Sequence, residues 1–204
     1  MRVGIDFDNT LVCYDDVFLK AALENKLLPT DFGGNKQEVR DSIRRAVGDW
    51  AWTQLQAEVY GRRMSEARMI EGASEFVAAC RNSGAPVHIV SHKTQYAAAD
   101  PGGADLHQVA LAWMEANGFF RKDGLGLKRD DIFFEPTREA KCRRIAALGC
   151  THFIDDLEEV FNEPSFPAGV RSYLLHRGDS ALPCGPFAAF ADWNTITEAV
   201  FARV

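Results

Sequence analysis

The 204 residues, 47% hydrophobic and 25% charged, are enough for a globular α/β-sized domain with a real core and a small insertion. A net charge of −6 argues against a broad electrostatic grip on nucleic acid or anionic lipid, so an anionic ligand needs a metal or a focused cationic pocket. Five cysteines, odd in number and without a CxxC pair, suggest neither a disulfide framework nor a zinc knuckle and fit a reducing cytoplasm.

The chain opens on a short apolar run, residues 3–5, which predicts a buried strand. It stops at Asp6 and Asp8, followed by Asn9 and Thr10. Two carboxylates this close raise each other's pKa, and a divalent cation would remove the conflict. The same residues also suit a turn and a helix cap, so the stretch alone does not decide. No signal-peptide pattern precedes it, and no apolar run approaches membrane-spanning length.

Over residues 15–69 the apolar positions Val17, Phe18, Ala21 and Ala22, then Val39, Ile43 and Val47, follow helical spacing. Pro29, Gly33, Gly34 and Gly61 punctuate them, which predicts a helical insertion of residues 14–70 with no strand. Trp50 and Trp52 are expected in its core. Arg40, Arg44 and Arg45 are read as solvated, with a substrate contact as the alternative.

The α/β pattern resumes with a helix ending at Gly84 and a strand over residues 86–90 that runs into Ser91, His92 and Lys93. A loop over 97–104 and a helix over 105–117 follow. A third strand, 131–135, leads through Pro136 to a helix carrying Lys141. The fourth, 152–154, ends in Asp155 and Asp156; Glu158 and Glu159 read as first-turn acids of a short helix. A fifth strand spans 170–175, and Arg177-Gly178-Asp179 reads as a turn. A last helix covers 195–202. Strands alternating with helices predict an α/β fold: a Rossmann-like parallel sheet of about five strands with helices on both faces. The expected organisation is a core of residues 1–13 and 71–204 with residues 14–70 as a separate helical piece.

Right-handed crossovers bring the polar residues at the strand ends to one edge of the sheet. Three carboxylates offer hard oxygen ligands suited to Mg²⁺, while a hydroxyl and an ammonium can hold phosphate oxygens. Scattered His88, His107, His152 and His176 do not suggest a zinc site.

Four motifs in order, DFDNT at Asp6, HIVS at Ser91, the lysine of REAKCRRI at Lys141 and FIDD at Asp155 and Asp156, resemble the haloacid dehalogenase-like (HAD) hydrolase superfamily. The resemblance implies that Asp6 is a nucleophile forming an aspartyl-phosphate and Asp8 a general acid and base that also lends a metal its main-chain carbonyl. Asp156, with Asp155 behind it, implies the remaining metal ligand. Ser91 and Lys141 would bind the phosphoryl group with the main-chain N–H groups near Phe7 and Asn9, and Thr10 is a further substrate-binding candidate; His92 and Lys93, as direct neighbours of Ser91 rather than by any motif, could touch substrate or the catalytic acid. Members acting on carbon–halogen bonds lack an acid two residues after the nucleophile, so Asp8 implies phosphoryl chemistry. Residues 14–70 take the place of the family's type 1 cap. The expectation is a cytoplasmic Mg²⁺-dependent phosphatase of a small phosphomonoester, such as a sugar phosphate or nucleoside monophosphate. A phosphoryltransferase or mutase and a non-catalytic phosphate-binding module are the alternatives.

Overall fold

Six short, mostly buried segments line up side by side, all parallel. The computed structural model describes residues 1–178 and 181–202; Asp179, the end of the Arg177-Gly178-Asp179 turn, lies outside the described residues. The strands β1 (Val3–Ile5), β4 (Val87–His92), β5 (Ile132–Glu135), β6 (His152–Asp155), β7 (Arg171–Leu175) and β8 (Ala188–Phe190) form a sheet in the order β5-β4-β1-β6-β7-β8. Counting its strands along the chain gives the order 3-2-1-4-5-6 of a doubly wound sheet, whose connections reverse direction between β1 and β6. The crevice beyond the carboxyl ends at that point is the favoured ligand site of such sheets. A separate two-stranded sheet pairs β2 (Val12–Cys13) with β3 (Arg68–Met69).

Expectation and structure differ at several boundaries. The sheet has six strands rather than five, because β8 lies in the Pro- and Gly-rich stretch ALPCGPFAAF, which carries the composition of a loop. β3 is a strand in a region read as wholly helical; at two residues it is too short to show alternation. β4 extends past Val90 to His92, so Ser91 is inside the strand.

The first of two compact units comprises residues 1–12, 69–93 and 118–204. It contains the six-stranded sheet with helices α4 (Ala73–Asn82), α6 (Arg138–Ala147), α7 (Glu158–Phe161) and α8 (Trp193–Phe201). Val90, Ile145, Phe153, Val160, Phe161 and Leu174 form one buried cluster. Elsewhere Phe76 packs on Trp193, ring centroids 4.9 Å apart. Gly4 permits the close packing of β6 on β1: a Cβ at this position would stand 2.6 Å from Cδ2 of Phe153, its register partner. α8 begins two residues before the expected start because the Asp192 carboxylate accepts the Thr195 N–H at 2.8 Å.

The second unit comprises residues 13–68 and 94–117. Helices α1 (Asp15–Glu24), α2 (Lys36–Ala46) and α3 (Asp49–Tyr60) pack around Phe18, which stacks on Trp52 at 4.8 Å and meets Tyr60 edge-on at 5.6 Å. The insertion of 14–70 is thus joined by residues 94–117, which hold α5 (Leu106–Ala116). The reason is polar as well as apolar: the buried Trp113 indole N–H donates to the Ala67 carbonyl at 2.9 Å. Trp50 corrects another expectation, being 61% exposed while Trp52 is 2% exposed. Two positions along a helix turn the side chain by about 200°, so only one of the two can face the core. No described helix is long and apolar enough to cross a membrane.

Candidate active site

Asp6 follows directly on Ile5, whose register partners are Ile89 in β4 and Ile154 in β6. Its N–H donates to the Ile154 carbonyl at 2.9 Å, which sets Asp6 level with Asp155 on the next strand. The carboxyl ends of β1 and β6 therefore bring together acids separated by about 150 residues of chain. Asp6, Asp155 and Asp156 each offer a carboxylate oxygen, and these oxygens lie within 4.8 Å of one another.

Lys141 holds two of the three. Its ammonium donates to Asp6 Oδ1 and Asp155 Oδ2, each at 2.6 Å, and the residue is 1% exposed. Thr137 places it by capping α6, its hydroxyl accepting the Ala140 N–H at 3.1 Å. Burial alone would lower the Lys141 pKa, but the charges of Asp155 and Asp6 outweigh it and hold the ammonium firmly protonated. Burial pushes the Asp155 carboxyl above the usual carboxylate range, with Lys141 pulling the other way. The second oxygen of Asp155 accepts the Leu157 N–H at 3.0 Å, so both of its oxygens are engaged within the protein. The Thr10 hydroxyl lies 3.3 Å from Asp6 Oδ2 and 3.2 Å from Asp156 Oδ1, and with one hydrogen it can serve one at a time.

Asp8 has different company. Its Oδ2 lies 2.8 Å from the Lys93 ammonium, and its carboxylate is not among the three clustered acids. The loop between them is tightly tied: the N–H groups of Leu11 and Val12 donate to the Phe7 carbonyl, and the Asn9 N–H donates to the Val12 carbonyl at 2.9 Å. Asn9 takes a left-handed conformation, φ 61°, which Asn tolerates better than most residues. The Asn9 N–H thus closes the turn. Phe7 is fully buried.

On the other side of β1, Ser91 is 1% exposed and its hydroxyl has no hydrogen-bond partner among the described residues. A buried unsatisfied hydroxyl costs about 1–3 kcal/mol, a deficit that a ligand oxygen would remove. His92 is tied elsewhere: its Nε2 lies 3.2 Å from the Pro136 carbonyl, which accepts its N–H, and burial lowers its pKa. Lys93 is the polar residue that the motifs did not assign. A periodicity signal for it exists, because residues two apart on an extended strand face the same side, which puts Lys93 on the side of Ser91.

Four acids, Asp6, Asp8, Asp155 and Asp156, share this region with two lysines, Lys93 and Lys141. The acids outnumber the lysines, an imbalance that a divalent cation would offset, and an all-oxygen donor set suits Mg²⁺ better than zinc. The residues present thus fit such an ion.

Neither a protein-family sequence model nor any curated protein sequence matches the chain. Solved structures do. A HAD family hydrolase from Deinococcus radiodurans R1, with bound phosphate and sodium, superposes with a TM-score of 0.60 at 16% identity, over 98% of this chain and 94% of its own. The HAD-hydrolase YfnB from Bacillus subtilis, bound to magnesium, gives 0.59 at 12% identity, with 98% of each chain covered. The L-2-haloacid dehalogenase RSc1362 gives 0.55 at 16% identity, covering 98% of this chain and 97% of that one.

The chain carries the fold of the HAD-superfamily hydrolases. Within this HAD fold the six-stranded sheet gathers Asp6, Thr10, Lys141, Asp155 and Asp156 into one hydrogen-bonded group, with Asp8 and Lys93 as a pair beside it. Glu158 and Glu159 sit in the first turn of α7. In the second unit, Arg40 pairs with Asp41 and Arg44 with Asp49, both at 2.8 Å, which accounts for these arginines locally. A groove of about 610 Å³ in that unit is lined by Asn25, Gln54, Glu58, Arg62 and Asp100 among others, and the 97–104 loop forms part of its wall. None of the motif residues lines it.

Proposed function

We propose that this chain is a Mg²⁺-dependent phosphatase that hydrolyses a small phosphomonoester through an aspartyl-phosphate. The observation that carries the reading is the division of labour between two carboxylates of one loop. Asp6 stands in the buried acid cluster on Lys141, and Asp8 stands apart on Lys93. Two environments for two carboxylates are what a nucleophile and a separate proton donor require.

An Asp6 carboxylate oxygen attacks phosphorus, the bond from phosphorus to the ester oxygen breaks, and the Asp8 carboxyl gives that oxygen its proton. Asp8, now a carboxylate, takes a proton from water, whose oxygen attacks the phosphorus of the acyl phosphate; phosphate leaves and Asp6 is restored. Ser91 and Lys141 hold phosphoryl oxygens through these steps. Asp6, Asp156 and the main-chain carbonyl of Asp8 would hold Mg²⁺, which neutralises charge on the phosphoryl oxygens. Asp155 supports the site through Lys141 and Leu157 rather than binding directly.

The dehalogenase among the structural relatives raises carbon–halogen hydrolysis as a rival, and the acid at position 8 speaks against it. Transfer of the phosphoryl group to a second hydroxyl uses the same residues and differs only in the acceptor. The test is phosphate release from a panel of sugar phosphates and nucleoside monophosphates with Mg²⁺ or with chelator, for the native chain and Asp6→Asn. Release that needs both Mg²⁺ and Asp6 is expected. Full activity of Asp6→Asn, or chloride release from a haloacid without phosphatase activity, would overturn the proposal.

A further inference from the structure

Lys93 is nearly buried, at 5% exposed, and its neighbours fix both ends of it. Its N–H donates to the Glu135 carbonyl at 3.0 Å, continuing the β4–β5 pairing one residue past His92. The ammonium then lies 5.9 Å from the centre of the Phe7 ring and 2.8 Å from Asp8 Oδ2. Stability is a weak reason for such a pair, since a buried ion pair gains little over apolar residues of the same volume. The main chain around Asp8 is already held by the turn bonds among Phe7, Asn9, Leu11 and Val12. The Lys93 ammonium acts on the Asp8 side chain itself.

We infer that Lys93 is a positioning residue for phosphoryl transfer, fixing the Asp8 carboxyl by one oxygen so that the other points at the ester oxygen that must be protonated. The inference rests on the phosphatase reading and adds a residue to its machinery. A general acid contributes about 10²–10⁴-fold, and misplacing such a group by about 1 Å can remove 10²-fold of that.

The leaving group separates positioning from mere structural support. An alkoxide needs a proton as it departs, whereas a nitrophenolate does not. The measurement is kcat/KM, which ends at the first departure, for glycerol phosphate and nitrophenyl phosphate with the native chain, Lys93→Met and Lys93→Arg. For Lys93→Met the alkyl ester is expected to lose about 100-fold and the aryl ester less than about threefold, in keeping with the share a general acid supplies. Lys93→Arg, which keeps the charge, recovers part of the alkyl loss and covers the case in which the Met variant does not fold. Adding Lys93→Met to Asp8→Asn should cost nothing further, because the lysine acts through that carboxyl. Equal losses on both esters, additive losses in the double variant, or a rise in KM with kcat unchanged would overturn the inference while leaving the phosphatase reading intact. A native chain inactive on both esters would overturn the two together.

Discussion

Replacing Lys141 by Met keeps most of the length of the side chain and removes its charge from between two carboxylates. At an effective dielectric of about 20, each contact at 2.6 Å represents about 6 kcal/mol of attraction before desolvation. Desolvation of the lysine and both acids cancels most of it, and breaking such a buried pair from one side costs about 3–5 kcal/mol in practice. For a chain of this size that loss lowers the melting temperature by about 6–20 °C. The variant removes one positive charge from the acid cluster, so a divalent cation should restore more stability to it than to the native chain. Thermal unfolding followed by circular dichroism, in chelator and in saturating Mg²⁺, reads both effects. A variant that melts within about 2 °C of the native chain in chelator, less than 1 kcal/mol by the same conversion, would refute the claim that Lys141 neutralises Asp6 and Asp155.

Asp156→Asn removes a charged member of the acid cluster and is expected to weaken Mg²⁺ binding by at least about 10–100-fold, the range known for supporting partners of a metal, as read by titration calorimetry. Gly4→Ala forces a methyl toward the Phe153 ring, and overpacking of this kind should cost about 1–3 kcal/mol in chemical denaturation without moving Mg²⁺ affinity. In the second unit burial pushes the Glu58 carboxyl up, but hydrogen bonds from Arg63, Asn25 and Arg62 outweigh it and leave its pKa below the usual range. A carboxyl lowered in the folded state contributes stability above its unfolded pKa and loses it as pH falls through the folded value. Glu58→Gln is therefore expected to destabilise by about 1–3 kcal/mol at pH 7 and progressively less toward pH 3, measured by denaturation at each pH.

Much of this was legible in the residues. Short apolar runs that stop at charged residues marked β1, β4 and β6, and the motif order singled out Asp6, Lys141, Asp155 and Asp156, which the fold brings together. These signals are local, and right-handed connections then leave few arrangements open. What was illegible depended on partners distant in the chain. The membership of α5 in the second unit depends on distant contacts, among them the Trp113 indole reaching the Ala67 carbonyl, which no spacing encodes. β8 hid because pairing with β7, not its own composition, makes Ala188–Phe190 a strand. Trp50 misled because a large aromatic residue has no sign that it faces outward. Lys93 had a usable signal in its two-residue spacing from Ser91, but the ammonium meets its carboxylate across strands, and that contact needs coordinates.

The central claim is that Asp6 accepts phosphorus. Incubating the native chain with a phosphate ester labelled in the phosphoryl group, quenching in acid within the first turnover and mapping the peptides by mass spectrometry tests it directly. A phosphoryl adduct on the peptide that carries Asp6, absent from Asp6→Asn and lost in hydroxylamine as acyl phosphates are, is the predicted result. Steady release of phosphate with label on no peptide, or on one from elsewhere in the chain, would contradict it.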